Sequence, residues 1–193
     1  MLHVRTVISR TLFFVLFTAA CQQMSAQVSL KNNLLYDASL TPNISMEVGL
    51  ARHWTFDATY GINPWKFHHN KKIRHYLVQP ELRYWFCQKF NGHFIGLHLM
   101  GGEFNAGGVD LPLGIAPCLH HNRYEGWYAG GGFVWGYQWP ISRHFSIETA
   151  LGVGYDYLKY KKFPCEHCGV EKKRGHYNYV GPTKVALNLI YNL

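Results

Sequence analysis

The chain has 193 residues, with 19 Lys and Arg against 11 Asp and Glu and a formal net charge of +8 at pH 7. Beyond the N-terminus no stretch approaches the ~18 consecutive apolar residues of a membrane-spanning helix, so a helical membrane protein is excluded. The length suits one domain, and no internal repeat or low-complexity segment divides it.

Residues 1–26 read as a secretory signal: Arg5 and Arg10, then the apolar run Thr11 to Ala20, then a cleavage point after Ala26. The mature domain is then 27–193. Cys21 follows Thr18, Ala19 and Ala20, which loosely matches a lipoprotein cleavage box, with Thr where Leu is usual. The basic excess suits nucleic acid, anionic lipid headgroups or acidic glycans. Export removes nucleic acid from the expected partners and leaves phosphate-bearing surface lipid, beside plain solvation of loop lysines.

Eight segments with period-two alternation follow, each a predicted strand. The first three are about Val28 to Tyr36, Ile44 to Leu50 and Trp54 to Ile62. A fourth, about His75 to Phe86, carries Pro80 in its middle. Because proline cannot donate to a ladder, a bulge is expected there. The remaining four are about Phe94 to Phe104, Trp127 to Trp139, Phe145 to Tyr157 and Thr183 to Leu193. Connections after strands 2, 4 and 6 are short, and those after 3, 5 and 7 are long; the first loop, around Ser39 to Asn43, is brief. This is the pattern of an all-β, eight-stranded antiparallel up-and-down barrel of the outer membrane, with short turns in the periplasm and long loops at the cell surface.

The second face of each strand separates a membrane barrel from a soluble one. In the sixth it is Tyr128, Gly130, Gly132, Val134, Gly136 and Gln138, and in the seventh Ser146, Glu148, Ala150, Gly152, Gly154 and Asp156. Glycine and alanine suit a crowded lumen rather than a watery exterior. Trp127 and Trp139 share a face twelve residues apart, about 28 Å along the membrane normal, which fits an aromatic ring at each edge of a ~25 Å apolar band. Trp54, Tyr84, Phe86 and Tyr191 fall near the periplasmic edge.

Gln79, Glu81 and Arg83 project inward from the fourth strand, with Glu47, Asp57, Glu148 and Asp156 placed to join them. Buried charges must pair, so a filled lumen with an ion-pair plug is expected in preference to an open channel. Cys165 and Cys168 form a CxxC with His176 eight residues on; a local disulfide, a metal site and free thiols are all compatible with that spacing. Cys87 and Cys118 fall at opposite ends of the barrel. His68, His69 and His75, and His120 and His121, are loop histidines with a weak metal alternative. Ser142 with His144 lies on a periplasmic turn, and nothing resembles a nucleophile elbow, so no catalytic set and no cofactor is expected. Lys71, Lys72 and Arg74 in one outer loop, and Lys159, Lys161, Lys162, Lys172, Lys173 and Arg174 in another, would ring the outer rim with positive charge suited to lipopolysaccharide phosphates.

NPW at Asn63 to Trp65, LVQPELRYW at Leu77 to Trp85, FNGHFIGLH at Phe90 to His98, GVDLPLG at Gly108 to Gly114, GYQW at Gly136 to Trp139, CEHCG at Cys165 to Gly169 and GPTK at Gly181 to Lys184 together resemble a family of small outer-membrane proteins of unknown function. Such proteins occur in anaerobic Gram-negative bacteria, frequently encoded beside fimbrial subunits and their anchoring proteins. The resemblance implies an envelope role connected with fimbrial assembly or anchoring and carries over no catalytic residues. The expectation is therefore a monomeric, non-enzymatic scaffold or anchor in the outer membrane. A lipid-modifying barrel enzyme and a narrow small-solute pore are the alternatives.

Overall fold

In the computed structural model, which describes residues 27–65, 72–107, 123–163 and 173–193, the alternating segments close into a ring. Eight antiparallel strands follow one another in chain order: β1 (Val28–Asn33), β2 (Asn43–Gly49), β3 (Trp54–Asn63), β4 (Lys72–Trp85), β5 (Gly92–Gly107), β6 (Arg123–Pro140), β7 (Phe145–Phe163) and β8 (Lys173–Asn192). β8 pairs back onto β1, with Ser29 opposite Asn192 and Asn33 opposite Asn188.

Period-two alternation gives the ring two unlike surfaces. On the outside stand large apolar side chains, such as Phe133 at 70% exposure and Leu97, Leu99, Leu151 and Val153 beside it. On the inside stand polar and small ones, among them Glu148 and Arg83, both at 0%. The polarity of a water-soluble barrel is thereby reversed.

The two ends of the barrel differ as well. At the near end lie both the start of β1 and the chain terminus, where the Leu193 N–H donates to the Val28 carbonyl at 2.9 Å. The tight connections 50–53, 86–91 and 141–144 lie there too. In the second of these Phe90 adopts φ 63, a costly region for a bulky residue. Its ring is buried 6.1 Å from that of Trp85, and this packing holds the turn. Towards the far end the strands lengthen round the ring, from 6 and 7 residues in β1 and β2 to 19 and 20 in β7 and β8.

Several details depart from the sequence reading. β1 stops at Asn33 rather than Tyr36, because the Asn33 side chain accepts the Leu35 N–H at 3.1 Å and caps a helical turn, α1 (Leu34–Ala38). Pro80 makes no bulge: it sits opposite Ala58, and the β4–β5 ladder passes from Val78–Gly101 to Glu81–His98 without a shift. One lost donor is too little to displace a register that the flanking pairs hold. The irregularity falls instead between β7 and β8, at Gly152 and Val153, beside a different proline, Pro182. β4 to β8 also continue well past their expected far ends, so Arg74, Lys159, Lys161, Lys162 and Arg174 are strand residues rather than loop residues.

Gly136 shows how tightly the inner face is packed. A Cβ there would lie 2.4 Å from Cζ of the fully buried Phe94 ring and 2.7 Å from the Thr149 carbonyl oxygen. At Gly101, on the outer face, the nearest atom to such a Cβ is 3.6 Å away. Gly136→Ala is accordingly expected to destabilise the barrel by roughly 1–3 kcal/mol, with Gly101→Ala close to neutral. Chemical denaturation of the two variants side by side checks this, and equal stabilities would refute the packing argument.

Candidate functional site

The polar interior is built around Arg83. β4 directs this side chain inward between Glu81 and Trp85, and the guanidinium is fully buried. Four carboxylates from four strands surround it. Nε lies 2.6 Å from Glu81 Oε1, Nη1 lies 3.0 Å from Glu47 Oε2 and 2.8 Å from Glu148 Oε2, and Nη2 lies 2.7 Å from Asp57 Oδ2. The Phe94 ring covers one face of the guanidinium, with the Arg83 Cζ 4.5 Å from its centroid. The planar, five-donor group of arginine suits such a multiple contact in a way that lysine does not.

Two further cations complete the cluster. Lys31, from β1, bonds Glu47 and lies 2.8 Å from Glu148 Oε2. Lys184, from β8, donates to Glu81 Oε2 at 2.5 Å. Neutral donors occupy remaining carboxylate lone pairs: Thr55 bonds Glu47, Ser45 bonds Asp57, and Asn188 donates to Glu148 Oε1 at 2.8 Å. Trp85 Nε1 in turn holds the Thr55 hydroxyl at 2.9 Å. Beside the ions, Trp85, Phe94, Val134, Ala150 and Ala186 form a small apolar cluster. Ions and rings together fill the lumen at this level, as expected of an interior only wide enough for side chains.

Glu47, Asp57, Glu81, Arg83 and Glu148 are brought into direct contact. Gln79 and Asp156 are buried in the lumen but stand apart from the ion pairs. Lys31, Lys184, Ser45, Thr55 and Asn188 join them beyond the expected set; for Lys31 the one signal is the short alternation Val28, Ser29, Leu30, Lys31, which ends at Asn32. On the outside, Trp54, Tyr84, Phe86, Trp139 and Tyr191 ring the near end; Trp54 meets Tyr84 edge-on at 5.1 Å, and Tyr84 meets Phe86 at 6.0 Å. Trp127, half-exposed, lies towards the far end of β6 and packs on Tyr157.

The expected basic loops take another form. Arg74, Asn105, Glu125, Lys161 and Arg174 occupy one ladder row across β4 to β8, so their charges are mixed, and Arg123 Nη2 lies 2.8 Å from Glu125. Lys72 and Lys173 begin β4 and β8. His75 also belongs to β4, its Nε2 3.4 Å from the Thr41 hydroxyl, and His176 stacks on Tyr157 with centroids 6.0 Å apart. Ser142 accepts the Phe145 N–H at 3.1 Å and shapes its turn, and Cys87 is an exposed free thiol at another. Cys165, Cys168, Cys118, Lys71, Lys172, His68, His69, His120 and His121 lie outside the described residues.

Fold and interior together define an eight-stranded antiparallel β-barrel, apolar outside and ion-paired within. The chain belongs to the family described as "Protein of unknown function (DUF3575)", whose model matches residues 11–193. No curated protein and no solved structure matches it.

Removing one member of a buried ion cluster strands the others without compensation. Arg83→Met is expected to cost about 3–5 kcal/mol, and Arg83→Lys to recover only part of it because a single ammonium cannot reach four carboxylates. Urea midpoints of the three proteins give the measurement, and a fully stable Arg83→Met protein would show that the cluster does not hold the barrel together.

Proposed function

We propose that this protein is an outer-membrane barrel that acts as a non-enzymatic scaffold, its lumen closed by the Arg83 cluster and its work done at its rims. The carrying observation is the reversed polarity: Leu97, Leu99, Phe133, Leu151 and Val153 face outward while Glu47, Arg83 and Glu148 are buried. Along the near part of the ring each strand is hydrogen-bonded to a neighbour on both sides, which suits a lipid surround. Trp127 and Trp139, on one face of β6, bracket this belt. Beyond Trp127 the outward residues become charged, with Glu103 and Lys159 in its own ladder row and Arg74, Glu125, Lys161 and Arg174 in the next. Such a rim matches phosphate-bearing lipid, lipopolysaccharide included. The chain would sit with the near end in the periplasm and the far end at the surface. A connection with fimbrial assembly or anchoring rests on the family resemblance.

Expressed with its N-terminal segment in a Gram-negative host, the protein is expected in the outer-membrane fraction. It should migrate faster on a gel before boiling than after, since a closed barrel resists detergent unfolding. Recovery as a soluble protein with unchanged migration would end the membrane reading. In planar bilayers the filled lumen should pass no current above baseline, and discrete conductance steps would favour a pore. Crosslinking in intact cells, with surface fimbriae counted with and without the gene, tests the scaffold role; no partner and unchanged fimbriae would sink it.

A further inference from the structure

Among the described residues, the β1–β8 seam that closes the ring runs only along its near part. β1 and β2, at 6 and 7 residues, are shorter than the ~9–11 residues that a tilted strand needs to cross a bilayer, whereas β6, β7 and β8 have 18, 19 and 20. β1 ends at Asn33 opposite Asn188. Among the described residues, β8 continues from there to Lys173, roughly 35 Å higher, without a strand on that side. The Asn33 side chain seals the start of the gap, donating to the Val185 carbonyl at 3.3 Å and accepting the Leu187 N–H at 3.2 Å. Above it α1 packs against β8, followed by residues 39–42. Their apolar side chains Leu34, Leu35 and Leu40 are exposed, as is Ile44 at the top of β2. Among the described residues the wall beyond α1 therefore has a notch whose rim continues the outer apolar belt.

Inside, at the far end, lies a cup of about 370 Å³ walled by Met100, Phe104, Tyr128, Leu158, Tyr177 and Tyr179. That volume is within the ~300–1,000 Å³ of ligand sites. Tyr177 and Tyr179 belong to β8, the strand that borders the notch, so cup and notch share a wall. Arg74 and His75 line the cup as well, and Asp156 is its buried polar group: it is 7% exposed, and its Oδ1 has no hydrogen-bond partner among the described residues. A buried acceptor left empty is costly, and a largely apolar and aromatic cup with a buried free acceptor suits an amphiphile with a donor on its polar part.

We infer that the cup takes the alkyl chain of an outer-leaflet lipid that reaches it sideways through the notch, with Asp156 Oδ1 accepting a hydrogen bond from that lipid's hydroxyl or ammonium group. This rests on the membrane reading above. The belt supplies the occupant's chemistry, because the notch opens where acyl chains would already lie.

The protein, reconstituted into vesicles containing phosphatidylethanolamine with a photoreactive acyl chain, is irradiated and the labelled residues are mapped. Labels are expected on cup residues such as Phe104, Leu158 and Tyr179 as well as on the belt. Ala106→Trp, which fills the cup from its wall, should lose the inner labels and keep the belt labels. Belt labelling alone in the native protein overturns the proposal while leaving the membrane reading intact; absence of both defeats the membrane reading itself. Inner labelling by a photoreactive free fatty acid but not by the phospholipid would overturn lateral access. So would belt labelling alone accompanied by a second copy crosslinked along β8, which would mean that a strand fills the notch.

Discussion

A guanidinium buried to its last atom is tenable only inside a shell of carboxylates, and that requirement decides which strands must meet in this protein. Arg83 draws Glu47, Asp57, Glu81 and Glu148 from β2, β3, β4 and β7, while Lys31 and Lys184 tie in β1 and β8. Strands far apart in sequence are thus fixed to one another by charge, and within the cluster each cation meets a carboxylate. The apolar partners Trp85 and Phe94 keep water from the same place. The cluster is consequently both fastener and stopper.

Its position has a counterpart outside. Because neighbouring side chains on a strand face opposite ways, burying Glu81 and Arg83 on β4 turns Leu82 and Tyr84 outward, and the same holds strand by strand. The apolar belt and the ion cluster are two readings of one alternation. Glycine makes the arrangement possible on the β6 side, where Phe94 occupies the space that a side chain at Gly136 would need.

That alternation is why so much was legible beforehand. Glu47, Asp57, Arg83 and Glu148 announce their inward direction through their apolar neighbours, and the strand count and near-end turns follow from the same periodicity. What stayed hidden depends on ring closure or on local capping. Glu81 and Lys184 are 103 positions apart and meet only because β8 returns to the start of the sheet. Lys31 sits in a strand of six residues, too short for its polar face to stand out. Leu34 to Tyr36 continue an apolar pattern, yet the Asn33 cap turns them into helix. Lys159, Lys161 and Arg174 lie beyond the apolar belt, where the outward residues turn charged and the inward ones, Leu158, Tyr177 and Tyr179 among them, turn apolar or aromatic, so the alternation that marks the belt does not continue.

The closure seam between β1 and β8 bears on how the molecule comes into being. It consists of five residue pairs, from Ser29–Asn192 to Asn33–Asn188, and joins the first strand to the last. Until the final five-residue stretch arrives, the chain is an open sheet with two raw edges, each able to pair with the wrong partner. The charges of β1 and β8 likewise find their places only when the edges meet. Biogenesis is therefore gated by the arrival of β8, and a chain without residues 188–192 is an unfinished sheet rather than a slightly weaker barrel.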